Sequence, residues 1–338
     1  MSKHDFGNLL KVLKREIPDR PVLFELFMNP IVYAHLSQND LPSQEDNFYN
    51  LKLRIRGFKN GGYDYALIHG SDFTFRTRAH IKQKTISLNE SPLIYDYKTF
   101  TEYPWQSPSN SDYSRLDILK DELAEGMKLI IMGPGGVLEN VIDLVGYDAL
   151  CFMLADEPDL ARELFDAVGS RLVEYYKICS SFDSVGALVS NDDWGFNTQT
   201  MLSPTDMRKY VFPWHKNIVD VIHASGKPAI LHSCGNLESV MDDIINYMKY
   251  DAKHSFEDNI IPIEEAYERW HKDIAILGGI DVNFICTRST EEIRERSMAM
   301  LKRTSDRGGY ALGSGNSIPE YVPIENYLAM ISVVQKHK

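Results

Sequence analysis

Eight short apolar runs punctuate the chain, and stretches of helical hydrophobic period separate them. They are Pro21–Phe27, Tyr65–Gly70, Met127–Met132, Gly186–Ser190, Ala229–His232, a run within Tyr250–Asp258, Ile274–Asp281 and Gly309–Asn316. Each has strand length and is nearly free of alternation, the pattern of a strand covered on both faces. Between them lie helix signals. Asp156-Glu157-Pro158-Asp159 places acids and a proline in a first turn, Ser203-Pro204 and Thr290-Glu291-Glu292 read as caps, and Pro323 opens a last helix. A further helix is expected from Asp117 to Gly126. Strand–helix alternation of this kind gives a parallel sheet with crossover helices. Eight units favour a closed (β/α)8 TIM barrel spanning residues 1–338 as one domain over an open doubly wound sheet. No GxGxxG opens a first helix, which weakens the open-sheet alternative.

One stretch breaks the rhythm. Residues 72–112 are rich in Thr, Ser, Tyr, Pro and Asn without a clear helical period, and Tyr95, Tyr97, Tyr103 and Trp105 fall close together. A segment of this length and character is expected to be a lid inserted in the barrel, or a small β excursion, and not a compact domain.

In a barrel of this type, chemistry gathers where strands end. Ala229-Ile230-Leu231 runs straight into His232-Ser233-Cys234, and in extended chain residues two apart share a side. An imidazole and a thiol so placed suit a borderline-soft metal such as zinc. Most of the other runs also end in polar residues. Asp72, Asp193, Glu257 and Asp281 are the candidate catalytic carboxylates. Glu25, Asp192, Trp194, His254, Ser314 and Asn316 are the candidate substrate contacts. Taken singly, each has a structural reading as a cap or a loop clasp. Their convergence at several strand ends points to a shared pocket. His215, His223 and His271 fall in helical stretches and read as surface or satisfied core residues.

Composition changes the picture in two ways. With 43% hydrophobic residues and a formal net charge of −12, the chain reads as globular and excludes a general binder of nucleic acid or anionic membrane. The four cysteines are scattered, no apolar run approaches a membrane span, and the start reads as no signal peptide, so the expected compartment is the cytoplasm. Glycine-rich Gly133-Pro134-Gly135-Gly136 is followed by no lysine at phosphate-loop spacing.

Several motifs in order carry a family resemblance. Gly133-Pro134, the Asp156-Glu157-Pro158 helix start, Leu202-Ser203-Pro204, His223-Ala224-Ser225-Gly226-Lys227-Pro228, His232-Ser233-Cys234-Gly235-Asn236, Gly278-Gly279-Ile280-Asp281, Leu312-Gly313-Ser314-Gly315 and Pro323-Ile324-Glu325-Asn326 resemble the uroporphyrinogen decarboxylase superfamily. The resemblance covers about residues 130–335 well and the first third loosely. It implies a single TIM barrel, and it implies one of two activities: cofactor-free decarboxylation, or zinc-dependent methyl transfer with corrinoid proteins.

The departures choose between these branches. The decarboxylases carry an arginine-bearing segment on the first strand and a Leu-Gly-His-Gly near the last. Here Phe24-Glu25-Leu26-Phe27-Met28-Asn29-Pro30 has an acid and no arginine, and Leu312-Gly313-Ser314-Gly315 has no histidine. Asp72 matches the aspartate that faces pyrrole N–H groups in the decarboxylases. The methyltransferase branch has His-x-Cys, as here, and a later cysteine ligand where this chain has Asn316. The resemblance thus implies zinc on His232 and Cys234, with Glu257, Asp193 or Asp281 as a third ligand. The implied partners are a small-molecule substrate and a corrinoid protein, with a homodimer left open. The alternatives are a decarboxylase of another carboxylated substrate and a non-catalytic ligand-binding barrel.

Overall fold

The computed structural model describes residues 4–77, 89 and 92–335. Seven parallel strands lie side by side in chain order: β1 (Tyr65–His69), β2 (Lys128–Met132), β3 (Val185–Asn191), β4 (Ala229–His232), β5 (Ala252–His254), β6 (Ala275–Leu277) and β7 (Tyr310–Ala311). Each pair is joined through a crossover that contains helix, the connection that parallel pairing requires. The strands are buried throughout except at their ends, which explains why they read as unbroken apolar runs. The result is a curled, TIM-barrel-like α/β fold.

The expected eighth strand is a correction. Pro21–Phe27 forms no strand; it meets the end of the sheet through the parallel bridge Leu23↔Leu312, with the Phe24 N–H donating to the Leu312 carbonyl at 2.8 Å. No backbone ladder joins this segment to β1 among the described residues. The segment is short and begins with a proline, which removes one donor, and Asn29-Pro30 turns it at once into the helix Pro30–Leu36. On the β1 side the Tyr65 hydroxyl takes the place of a strand, accepting from the Glu25 N–H and bonding the Glu25 carbonyl, both at 2.6 Å. The ring of backbone hydrogen bonds is therefore interrupted between this segment and β1.

Two helix expectations also shift. The Asp117–Gly126 stretch is only a short helix Arg115–Ile118 followed by a 3-10 turn Leu119–Glu122. The cap expected at Thr290 is Ser289, whose hydroxyl accepts from the Glu292 N–H in a capping box. The helix after Asp156-Glu157 is the long Pro158–Ser180 element, with Pro158 at its first position.

Of the expected 72–112 lid, residues 78–88, 90 and 91 lie outside the described residues. Phe73 and Phe75 are buried, and Trp105 packs under the Arg171 guanidinium of the Pro158–Ser180 helix. Thr74, Phe75 and Thr77 border a cavity that Asp193 also lines, at the carboxyl end of the strands.

Candidate metal centre

The centre is built by three consecutive strand ends. Register places Asn191 of β3 opposite His232 of β4, and His232 opposite His254 of β5. Paired residues in neighbouring strands project to the same side, so the two imidazoles lie together, ring centroids 5.1 Å apart. Beyond β3 and β4 the chain turns in two loops that bind each other. The Cys234 N–H donates to Asp193 Oδ1 at 3.0 Å, and the Asn236 N–H donates to the Phe196 carbonyl at 2.8 Å. Gly235 makes this approach possible: its φ is +87°, and a Cβ there would fall 2.0 Å from the Gly195 carbonyl oxygen.

One ligand atom each of Asp193, His232 and Cys234 lies within 4.8 Å of the others, the group of three or more such donors found among the described residues. Cys234 Sγ is 3.8 Å from His232 Nε2. The hydrogen-bond chain behind His232 fixes which of its nitrogens is free. His254 Nε2 is 3.2 Å from the Ser314 carbonyl, which can only accept, so His254 carries its proton there. Its Nδ1 is then the acceptor of the 2.9 Å contact with His232 Nδ1, which must be the N–H donor. The His232 Nε2 lone pair is left facing Cys234 and Asp193. Both rings must be neutral for this assignment. Burial supports that, holding His232 down to about 4 and His254 well below the ordinary histidine value.

Glu25 anchors the far end of the chain. Fully buried, it accepts from the Ser314 hydroxyl at 2.7 Å and the Ser314 N–H at 3.2 Å, and burial raises its carboxyl to about 8. Asn316 comes to the thiol itself, its side-chain amide donating to Cys234 Sγ at 3.2 Å. Burial pushes the Cys234 thiol up, and the Asp193 carboxylate adds to that. A dication is the kind of charge that reverses this preference, since a coordinating thiol gives up its proton. The mixed imidazole, thiolate and carboxylate set suits zinc.

The remaining sequence candidates separate. Asp192 is fully buried beneath the centre, accepting from the Leu138 and Glu139 N–H groups at the start of the helix Val137–Val145 and bonding His215 Nε2 at 2.8 Å. Gly136 allows this, since a Cβ there would collide with the Asp192 carboxyl. Trp194 is buried edge-on to His215. Asp281 caps the helix Val282–Thr287 through the Phe284 N–H and holds the Asp258 N–H. It shares a groove of about 810 Å³ with Glu257 and Asn316. Asp72 stands apart from the three donors: its side chain is 89% exposed and paired at 2.5 Å with Arg115.

Two groups escaped the sequence reading. Glu139, in the first turn of the Val137–Val145 helix, is raised to about 8 by burial, with Asp192 and Asp193 nearby. Lys253, inside the β5 run, is buried with its ammonium bonded to the Ser255 carbonyl at 2.6 Å and 4.2 Å from the Phe256 ring centre. Burial lowers it to about 8. A lysine at an expected strand position between Ala252 and His254 was the available signal.

A TIM-barrel-like frame with a nitrogen, sulfur and oxygen donor group at its strand ends narrows the class to barrel enzymes with a metal-competent site. The family model of uroporphyrinogen decarboxylase (URO-D) matches residues 90–337, and the chain belongs to that family. Uroporphyrinogen decarboxylase of Prochlorococcus marinus (strain MIT 9215) is 30% identical over 187 residues, 53% of this chain and 49% of that protein. That of Myxococcus xanthus (strain DK1622) is 25% identical over 194 residues, 55% and 50% of the two chains. The matches thus span about half the length of these curated relatives. Among solved structures, a methyltransferase from Methanosarcina mazei aligns over 99% of both chains with a TM-score of 0.70 at 14% identity. A putative vitamin-B12 independent methionine synthase from Listeria monocytogenes aligns over 94% of this chain and 98% of its own, with a TM-score of 0.51 at 10% identity. At such identities these two likenesses show the fold. No helix among the described residues is long and apolar enough to cross a membrane.

Proposed function

We propose that the chain is a zinc-dependent enzyme that transfers a methyl group between a small molecule and a corrinoid-carrying protein. The observation that carries this reading is the Asp193, His232 and Cys234 group, with the His232 Nε2 lone pair presented to it. Those three residues would hold the metal. When bound, zinc supplies Lewis acidity at a position left open for substrate.

The chain's own residues prepare that position. His254 holds the His232 ring and its tautomer, the outer support on which metal affinity depends. Asn316 donates to the sulfur and so tempers its negative charge. Glu257 borders the 810 Å³ groove half-buried, its carboxyl raised by burial and by Asp281 and Asp193. It is the group suited to take or return a proton at substrate. Decarboxylation of an acidic tetrapyrrole fits less well: the Val22–Asn29 segment offers no arginine, Glu25 is occupied by Ser314, and Asp72 faces solvent.

The test is a survey of small O-, N- and S-methylated compounds with zinc-loaded protein and cob(I)alamin standing in for the corrinoid partner. Zinc-dependent formation of methylcobalamin, followed by its absorbance, is the expected result. Turnover that survives full removal of metal, or release of CO2 from uroporphyrinogen in its place, would overturn the reading.

A further inference from the structure

The Asp193 side chain is aimed from behind. The residues on its two flanks, Asp192 and Trp194, are fully buried, and both meet one ring, that of His215 on the helix Phe212–Ala224. His215 Nε2 lies 2.8 Å from Asp192 Oδ2, and the Trp194 ring stands edge-on to the imidazole, 4.7 Å away between centroids at 89°. Asp192 and Trp194 therefore turn to the helix layer. Asp193, between them, turns the other way, to His232 and Cys234. That is the alternation of extended chain. Asp192 accepts the Leu138 and Glu139 N–H groups and takes its third donor from His215 Nε2. His215 Nδ1 is then free to accept from the Tyr250 hydroxyl at 2.8 Å, with Ser190 Oγ at 3.2 Å. The Asp192 N–H donates to the His232 carbonyl at 3.0 Å, so the same residue also touches the strand of a second donor. His215 is itself fully buried and lines neither the groove at Glu257 nor the cavity beside Asp193.

We propose that His215 is a positioning residue of the metal centre, fixing the direction of the Asp193 carboxylate by gripping Asp192 on one side of it and Trp194 on the other. It touches neither metal nor substrate and acts through the oxygen ligand alone. His232 and Cys234 come from the next strand and its loop, with His254 as the support of His232, so they do not depend on His215. The inference rests on the zinc reading for its effect on a bound ion. The grip itself is present without metal.

The experiment is a double-mutant cycle on full-length protein, His215→Phe against Asp193→Asn, with zinc affinity read by chelator competition and cobalt(II) absorption as the signature of the ligand set. His215→Phe should weaken zinc about tenfold, the lower end of the range for an outer partner. It should alter the d–d bands of bound cobalt while the sulfur-to-cobalt band, which reports Cys234, keeps its strength. In the Asp193→Asn background the same substitution should cost almost nothing further, because the two residues act as one unit. His215→Gln, whose amide nitrogen can still donate to Asp192, should recover most of the affinity. A metal-free readout separates this inference from the zinc reading. The Cys234 amide, held by Asp193 Oδ1, should exchange with solvent about tenfold faster in His215→Phe than in the parent. If the parent binds no zinc, the zinc reading fails and this exchange alone decides. Additive losses of zinc affinity in the cycle, or exchange of the Cys234 amide at the parent's rate, would each overturn the inference. Should His215→Phe fail to fold, Tyr250→Phe, which removes only the phenol behind the ring, carries the same measurements with the same signs and smaller effects.

Discussion

His232 and His254 meet nitrogen to nitrogen, Nδ1 to Nδ1 at 2.9 Å, and the Ser314 carbonyl decides which of them donates. Because that carbonyl can only accept, the order of protons runs outward from the backbone and ends with a free lone pair on His232 Nε2. The donor group is therefore prepared by the fold before any metal arrives.

Zinc should bind with a stoichiometry near one, and Cys234→Ser should remove most of it while the far-UV dichroism stays unchanged. Loss of a thiolate ligand costs far more than loss of an outer partner, so a fall of more than about 100-fold is expected. Cobalt(II) substitution gives the sharper readout: the sulfur-to-cobalt absorption of the parent should vanish in the variant. A full-strength band in Cys234→Ser would exclude this thiol as a ligand.

His254→Phe keeps a flat ring in the core but takes away the acceptor for His232 Nδ1. Affinity for zinc should fall about 10–100-fold, the range for outer-shell partners of a metal-bound histidine. Competition with a chromophoric chelator measures it. Affinity equal to the parent would mean that the His232 tautomer is set by something else.

Asn316→Cys would put a thiol where an amide now donates to Cys234 Sγ at 3.2 Å. A second thiolate should tighten zinc binding by tenfold or more on the scale of structural sulfur sites, about 1.4 kcal/mol per decade. It should also intensify the cobalt charge-transfer band. Unchanged affinity together with an unchanged spectrum would show that residue 316 stands outside ligand reach.

Glu25 gives a pH signature. Its carboxyl ionises near 4.5 in an ordinary setting and near 8 in the fold, so between these values the native state keeps a proton that the unfolded chain has lost. The stabilisation is fully present below about pH 4.5 and disappears as pH rises through 8, at up to about 1.4 kcal/mol per unit. Glu25→Gln should therefore gain stability relative to the parent on going from pH 5 to pH 8. Denaturant melts of metal-free protein at both values check the sign; parallel pH profiles would count against it.

Much of this was legible in the chain because burial on both faces leaves a strand as an unbroken apolar run, as in Ala229–His232. His-x-Cys was legible because the period of a strand is two. Asp193 could be named as a third donor but not preferred over Glu257 and Asp281, because the preference comes from the Gly195–Gly235 approach, a contact between two loops far apart in sequence. Pro21–Phe27 has the composition of a strand, and nothing local reveals that a tyrosine hydroxyl, not a neighbouring backbone, satisfies Glu25. Nor does sequence show that Asp192 is spent on a helix start and His215, or that Asp72 has Arg115 at hand.

The Tyr65 hydroxyl that spans the gap beside β1 has a consequence for motion. Six of the sheet's joints are zippers of backbone bonds, whereas this one hangs on a single phenol touching the backbone of Glu25. The cylinder therefore has a preferred place to part. Amide exchange at Glu25 should run ahead of exchange in β3 and β4, and Tyr65→Phe should quicken it further. Since the same Glu25 holds Ser314, a brief opening of this seam would slacken the support of His254 and reach the donor group without disturbing the loops that form it.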